Sequence, residues 1–263
     1  MYAEERKKRI KRVLAENKSI NVNTLSQLLN VSKVTIRRDL KELDEEGVLI
    51  KTHGGAILPD EDLVYLNDTP GYENSEDYDH GLEVMGKIAK LIIDDGASVF
   101  LCPGRACEAI ATSIREKIKM RVVTTDINVL IALARGDQRC KLNVTIPGGE
   151  LDLTSLCVSG AITEQMLDNM FFDYTFIEVD GVTIERGYFA ETSAKYSTIK
   201  KVIDHSNQTI IVCDHSKFDK QSMYHLGDIK SFDKIISTEK IPQKYKEFYF
   251  NNNIQLFTTF DVY

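Results

Sequence analysis

Ile36, Leu40 and Leu43 recur at i, i+4 and i+7 in a stretch, Val31-Ser32-Lys33-Val34-Thr35-Ile36-Arg37-Arg38-Asp39-Leu40 and onward, that otherwise carries cations and hydroxyls. That period places the three on one face of a helix and leaves Lys33, Thr35, Arg37 and Arg38 for the other faces. Ser32 stands where an N-cap is wanted, directly before the periodic run. An apolar seam must pack against something, and the groups left over suit phosphates and base edges. They crowd the N-terminal half, the part that a helix-turn-helix protein inserts into the major groove.

The neighbouring residues complete that module. A first amphipathic helix is expected over Glu4 to Asn17, with Ile10, Val13 and Leu14 as its stripe and a mostly solvated row of cations, Arg6 to Arg12. Ser19 to Val22 reads as an extended link. Asn23 is then placed to cap a helix over Thr24 to Leu29 that buries Leu25, Leu28 and Leu29. A tight turn at Asn30-Val31 leads into the reading helix, Ser32 to about Glu46, which Gly47 stops as a C′ glycine. Val48 to Thr52 reads as a strand, and His53-Gly54-Gly55-Ala56 as the tight turn of a β-wing. The expectation is a winged helix-turn-helix over residues 1–57, its helix-turn-helix segment running from Ile20 to Asp39. The candidate DNA contacts are Ser32, Lys33, Thr35, Arg37 and Arg38 on the helix, with Lys51 and His53 near backbone phosphates.

Charge agrees with this division. The chain of 263 residues carries a net charge of −7, which alone argues against nucleic acid. Residues 1–57, however, hold 12 Lys and Arg against 8 Asp and Glu, while the remainder holds 21 against 32. A basic end on an acidic body is expected when one module touches DNA and the other does not. No apolar run approaches the roughly 18 residues of a membrane span, and no signal core follows the charged N-terminus, so a cytoplasmic protein is expected. Cys102, Cys107, Cys140, Cys157 and Cys213 are scattered without a CxxC pair, as free thiols in a reducing compartment would be. His205, His215 and His225 show no metal spacing, and neither a metal nor a cofactor is expected.

Residues 58–80 form an acidic linker punctuated by Pro59, Pro70 and Gly71. From residue 81 to 263 strand and helix patterns alternate, which means a mostly parallel sheet covered by helices. Helices are expected over Leu82–Ile93, Ala106–Lys117, Asn128–Ala134, Ala161–Asn169 and Ser193–Asp204. The strands are expected over Ser98–Leu101, Arg121–Thr124, Leu142–Ile146, Tyr174–Val179, Gln208–Cys213 and Lys234–Ser237, with two short elements closing the chain. Ligands collect beyond the carboxyl ends of strands in such sheets. Five loops fall there: Cys102–Cys107, Thr125–Asp126, Pro147–Glu150, Asp180–Gly181 and Asp214–Phe218. Gly104 opens a helix whose amides can hold an anion, and Arg105 and Lys217 add positive charge. Gly148 and Gly149 turn the third loop. Asp126, Asp180, Gly181 and Glu191 complete the candidate effector site, the carboxylates as acceptors for sugar hydroxyls.

The chain resembles the DeoR family of transcriptional regulators over nearly all its length. The similar stretches are Val31-Ser32, Thr35-Ile36-Arg37-Arg38-Asp39-Leu40, Leu43, Gly47 and Thr52-His53-Gly54-Gly55-Ala56. Beyond residue 81 they are Asp95-Gly96, Gly104, Val122-Val123-Thr124, Pro147-Gly148-Gly149-Glu150-Leu151, Gly160, Asp180-Gly181, Gly187 and Asp214-His215-Ser216-Lys217-Phe218. The resemblance implies a repressor of carbohydrate genes. A double-stranded DNA operator and a homo-oligomer, dimer or tetramer, go with it. So does a phosphorylated sugar bound to a domain similar to sugar-phosphate isomerases. The chain departs from the family at the loop Cys102-Pro103-Gly104-Arg105-Ala106-Cys107, where the usual threonines are missing. Thr125 stands where an asparagine is usual. Two lysines, Lys195 and Lys200, both fit the family's late acid-and-lysine segment. An isomerase-like enzyme with an accessory DNA-binding module, using Asp180 and Glu191, is the alternative to a non-enzymatic regulator.

Overall fold

The computed structural model describes residues 3–17, 19–45, 49–51, 55–57, 76–115, 117, 119–135 and 142–258. The chain divides into two compact units, Met1–Asp68 and Thr69–Tyr263.

In the first unit three helices, α1 (Ala3–Asn17), α2 (Val22–Leu29) and α3 (Lys33–Glu45), surround one apolar cluster. Ile10 and Leu14 come from α1, Val22, Leu25 and Leu29 from α2, and Ile36, Leu40 and Leu43 from α3. The α2 stripe runs 22, 25, 29, which turns Leu28 away from the core. Leu28 is 58% exposed rather than buried as expected. Val22 joins the first turn, so the cap is Asn21, whose side chain accepts from Thr24 N–H at 2.8 Å, and not Asn23. Asn30 ends α2 in the left-handed region, φ 52°, which turns the chain toward α3. The expected extended link is itself a strand, β1 (Ser19–Asn21). It pairs with β3 (Gly55–Ile57), which in turn pairs with β2 (Ile50–Lys51), giving the order β1-β3-β2. Gly55 is therefore a strand residue opposite Asn21. Gly47, His53 and Gly54 lie outside the described residues, as does most of the expected linker.

The described part of the second unit begins at Glu76, inside the stretch read as linker. Helix α4 (Glu76–Ile92) buries Leu82, Met85 and Ala89 and starts before the expected Leu82. Beyond it lies a sheet of seven strands, all parallel: β4 (Ser98–Leu101), β5 (Arg121–Thr124), β6 (Asn143–Thr145), β9 (Phe172–Glu178), β12 (Ser206–Cys213), β14 (Lys234–Ser237) and β15 (Gln255–Phe257). Its order is β15-β14-β12-β9-β4-β5-β6. Phe176-Ile177 of β9 and Ile210 to Cys213 of β12 are buried apolar runs because a central parallel strand is covered on both faces. The crossover helices are α5 (Arg105–Ile114), α6 (Ile127–Ala134), α7 (Ala161–Leu167), α8 (Ser193–Ile203) and α9 (Gln243–Asn251). Two small antiparallel additions went unread from the sequence. One is the hairpin β7 (Glu150–Asp152) with β8 (Cys157–Ser159). The other is the sheet of β10 (Gly181–Thr183), β11 (Gly187–Ala190) and β13 (Tyr224–Gly227).

The strand order locates the site. From β4 the chain steps outward through β5 to β6, then returns to β9 on the other flank of β4 and steps outward the opposite way. The gap beyond the carboxyl ends of β4 and β9 is a topological switch point, where open α/β sheets hold ligands.

Candidate functional site

In the first unit, helix α3 presents two different faces. Ile36, Asp39, Leu40 and Leu43 are buried, whereas Lys33, Val34, Arg37, Arg38 and Lys41 are exposed. Ser32 caps the helix as expected, accepting from Thr35 N–H at 3.2 Å, and its hydroxyl also bonds that of Thr35 at 2.8 Å. Both hydroxyls therefore brace the first turn. Arg38 lies 3.8 Å from Glu42, one turn along an exposed surface, a contact of small energetic weight. Lys51 sits in β2, the strand at one edge of the small sheet.

Two residues here were misjudged or missed. Arg6 is not part of a solvated row: it is 5% exposed and donates to both oxygens of Asp39, through Nε and, at 2.8 Å, through Nη2. The signal was present, because Arg6 shares a stripe with Ile10 and Leu14, and Asp39 shares one with Ile36 and Leu43. A charge at a seam position on each of two helices announces a buried pair. The other is Val34, 73% exposed on the first turn of α3, an apolar side chain among cations.

In the second unit a cavity of about 280 Å3 lies at the switch point. Gly104, Arg105, Asp126, Asp180 and Glu191 line it, joined by Glu108, Asp152, Lys195 and Thr198. Gly148, Gly149, Gly181 and Lys217 are not in its wall. Gly148 accepts from Thr163 Oγ1 at 2.8 Å, and a Cβ on Gly149 would meet that hydroxyl at 2.2 Å, so both serve close packing of the turn against α7. Gly181 starts β10 against the backbone of Lys220. Of the two lysines considered for the late segment, Lys195 faces the pocket whereas Lys200 is exposed.

The loop after β4 is built around the protein's own carboxylates. Asp126 caps α6, accepting from Asn128 N–H at 2.7 Å, and its other oxygen accepts from Gly104 N–H at 3.1 Å. Glu178, the last residue of β9, accepts from Ala106 N–H at 2.7 Å and Cys107 N–H at 3.2 Å. The start of α5, expected as an open anion site, is thus already satisfied from within. Gly104 is obligatory at this place: its φ is 139°, and a Cβ would lie 2.3 Å from the Glu178 carboxyl carbon. Burial pushes the Glu178 carboxyl up to about 7 against the opposing pull of Lys195. Glu108 rises to about 7 as well, first through burial and then through the charges of Asp126 and Glu178. Asp126 is raised by burial, with its backbone hydrogen bonds opposing. Lys195 binds Asp180 at 2.7 Å; burial disfavours its charge, but Asp180 and neighbouring acids outweigh that and hold its pKa above the usual value.

Cys102 and Cys107 flank the loop, fully buried, and burial drives the Cys102 thiol up to about 12. They are packing residues here, not thiolates. No His, Cys, Asp and Glu grouping able to hold a metal exists among the described residues.

Family comparison matches both units. Residues 6–62 fit the DeoR-like helix-turn-helix domain, and residues 82–239 fit the DeoR C-terminal sensor domain. The chain belongs to the DeoR family. Several of its relatives are named as repressors. The "Putative aga operon transcriptional repressor" of Escherichia coli O157:H7 is 31% identical over 243 residues, 90% of this chain and 87% of that protein. The glycerol-3-phosphate regulon repressor of Escherichia coli K12 is 25% identical over 90% of this chain and 91% of its own length. The transcriptional repressor GlcR of Bacillus subtilis is 27% identical over 98% and 97%. Ribose 5-phosphate isomerase A of Methanocaldococcus jannaschii superposes on 54% of this chain and 56% of its own with a TM-score of 0.39 at 14% identity, a likeness too slight to bear on function. As a DeoR-family regulator the chain pairs a DNA-binding module with a sensor domain, and the cavity described above lies within the latter. No helix among the described residues is long and apolar enough to cross a membrane.

Proposed function

We propose that this chain is a cytoplasmic repressor of carbohydrate-metabolism genes. It binds its operator as a homo-oligomer and changes operator affinity when a sugar-derived effector occupies the switch-point cavity. The observation that carries the reading is the division of α3, whose buried residues lock it to α1 and α2 while Lys33, Val34, Arg37 and Arg38 are turned outward. With α3 in the major groove, Arg37 and Arg38 supply base and phosphate contacts, Val34 an apolar surface for a thymine methyl, and Lys33 a phosphate contact. Lys51 and His53 serve the wing. Phosphate neutralisation supplies most of the affinity.

Control follows from linkage: an effector with unequal affinity for DNA-competent and incompetent arrangements shifts the population between them. Gly104, Arg105, Asp126, Asp180 and Glu191 form the wall that the effector meets, with Lys195 beside them. Gly148, Gly149, Gly181 and Lys217 shape or charge the surrounding loops. An enzyme is disfavoured by the state of Asp180, whose two oxygens are taken by Lys195 Nζ and by Glu191 N–H at 2.8 Å, leaving it poorly placed as a base.

The test is a nuclease footprint of the intact protein on the DNA upstream of its own and adjacent genes, with and without a panel of sugars and sugar phosphates. A protected site released by one of these compounds is the expected result. Absence of any sequence-specific protection by folded protein overturns the reading.

A further inference from the structure

We infer that the effector of this pocket is an unphosphorylated polyhydroxy compound, because the protein has placed its own carboxylate where a phosphate would bind. The inference rests on the reading of the cavity as the effector site. The amides at the start of a helix after a parallel strand are the natural seat of a phosphate. In this chain those of Ala106 and Cys107 donate to Glu178, and that of Gly104 donates to Asp126. Glu178 is 8% exposed at the end of the strand flanking the switch point, and Gly104 presses directly on it. A phosphate has to expel Glu178 to reach the amides of Ala106 and Cys107, and Asp126 to reach that of Gly104.

The cavity wall in front of this seat repeats the preference. Glu108, Asp126, Asp152, Asp180 and Glu191 line the cavity against two cations, Arg105 and Lys195. Lys195 is committed to Asp180 at 2.7 Å. A phosphate ester carries about −1.5 to −2 charges at neutral pH and is repelled by such a wall. Hydroxyl groups, and an ammonium substituent, instead donate to carboxylates. Glu178 therefore fills the phosphate seat with the protein's own carboxyl group and so sets ligand class.

The test uses inorganic phosphate on the intact, isotope-labelled protein, read at the backbone amide signals of Ala106 and Cys107. In the wild type these signals do not move with phosphate. In Glu178→Ala they shift saturably, with an affinity at least about tenfold tighter, the scale of charge-assisted hydrogen bonds gained. Wild-type signals that saturate with phosphate as tightly as those of the variant overturn the inference, and the wild-type titration decides this even if Glu178→Ala fails to fold. Calorimetry then compares parent and ester pairs: glycerol with glycerol 3-phosphate, ribose with ribose 5-phosphate, glucose and glucosamine with their 6-phosphates. Binding of a parent in preference to its ester supports the inference, and the reverse preference overturns it. Loss of the operator footprint is a separate outcome that strikes only the regulator reading.

Discussion

Arg6 of α1 grips Asp39 of α3 with two nitrogens on two oxygens, in a site almost closed to water. A buried pair of this kind is weak evidence of net stability, but removing one partner strands the other charge and costs about 3–5 kcal/mol. A unit of some sixty residues has only a few kcal/mol in total. Arg6→Ala and Asp39→Asn are therefore expected to unfold the first unit and abolish operator binding. The pairing fixes the rotation of α3 about its own axis, so a double replacement, Arg6→Met with Asp39→Leu, is expected to recover helicity, seen by circular dichroism and amide exchange.

Val34 tests base reading as distinct from phosphate attraction. Val34→Ala is expected to shift preference at one base pair by about 1 kcal/mol, the lower end of a single-position effect. The salt slope of binding should stay unchanged, because no phosphate contact is lost. Competition among single-base variants of the operator measures both quantities.

Glu178 gives the sensor unit a pH dependence of defined sign. Its carboxyl titrates near 7 when folded because it is buried, well above the ordinary value near 4.5 that the unfolded chain restores. The folded state therefore holds more protons across this window. Stability is fully favoured below about 4.5 and is lost as pH rises toward 7. Glu108, also raised to about 7, acts in the same direction. Glu178→Gln is expected to flatten the fall in denaturation free energy between pH 5 and 7 by an amount on the order of 2 kcal/mol. Urea titrations at closely spaced pH values check it; identical slopes in the two proteins contradict it.

Gly104→Ala places a methyl against the Glu178 carboxylate at a φ of 139°. It is expected to destabilise the sensor unit by more than 2 kcal/mol, about the upper part of the range for strained backbone positions, and to expel Glu178 from the start of α5. Thermal melting measures the first effect, and a downward shift of the Glu178 titration by NMR measures the second.

What was readable in advance followed from periodicity. Ile10 and Leu14, and Ile36 with Leu40 and Leu43, reached the core while Val13 of the first stripe stayed partly exposed, and the parallel strands fell within a few residues of expectation. Local spacing failed where a partner was distant. Asp39 lies 33 residues from Arg6, and Glu178 lies 72 from Ala106, so neither pairing leaves a local trace. Glu178 ends a strand and looks there like an ordinary solvent-facing carboxylate. Strands β10, β11 and β13 are only three or four residues long and pair across gaps such as Tyr188 with Gly227, too short for an alternating pattern to declare itself. Gly104, Arg105, Asp126, Asp180 and Glu191, singled out from the expected strand-end loops and their neighbourhood, do line the cavity. Gly148, Gly149, Gly181 and Lys217 were gathered by the same rule but stand outside the cavity wall, since a loop at a strand end need not turn inward.

The most direct measurement is a mobility-shift titration of wild-type protein and Arg37→Ala on the operator recovered by footprinting, run at two salt concentrations. The wild type should bind with an affinity that falls steeply with salt. Arg37→Ala should lose about 1–3 kcal/mol, roughly 5- to 150-fold, while remaining folded, because its side chain is exposed on α3 and outside the core. Unchanged affinity in folded Arg37→Ala would contradict the assignment of α3 as the DNA reader.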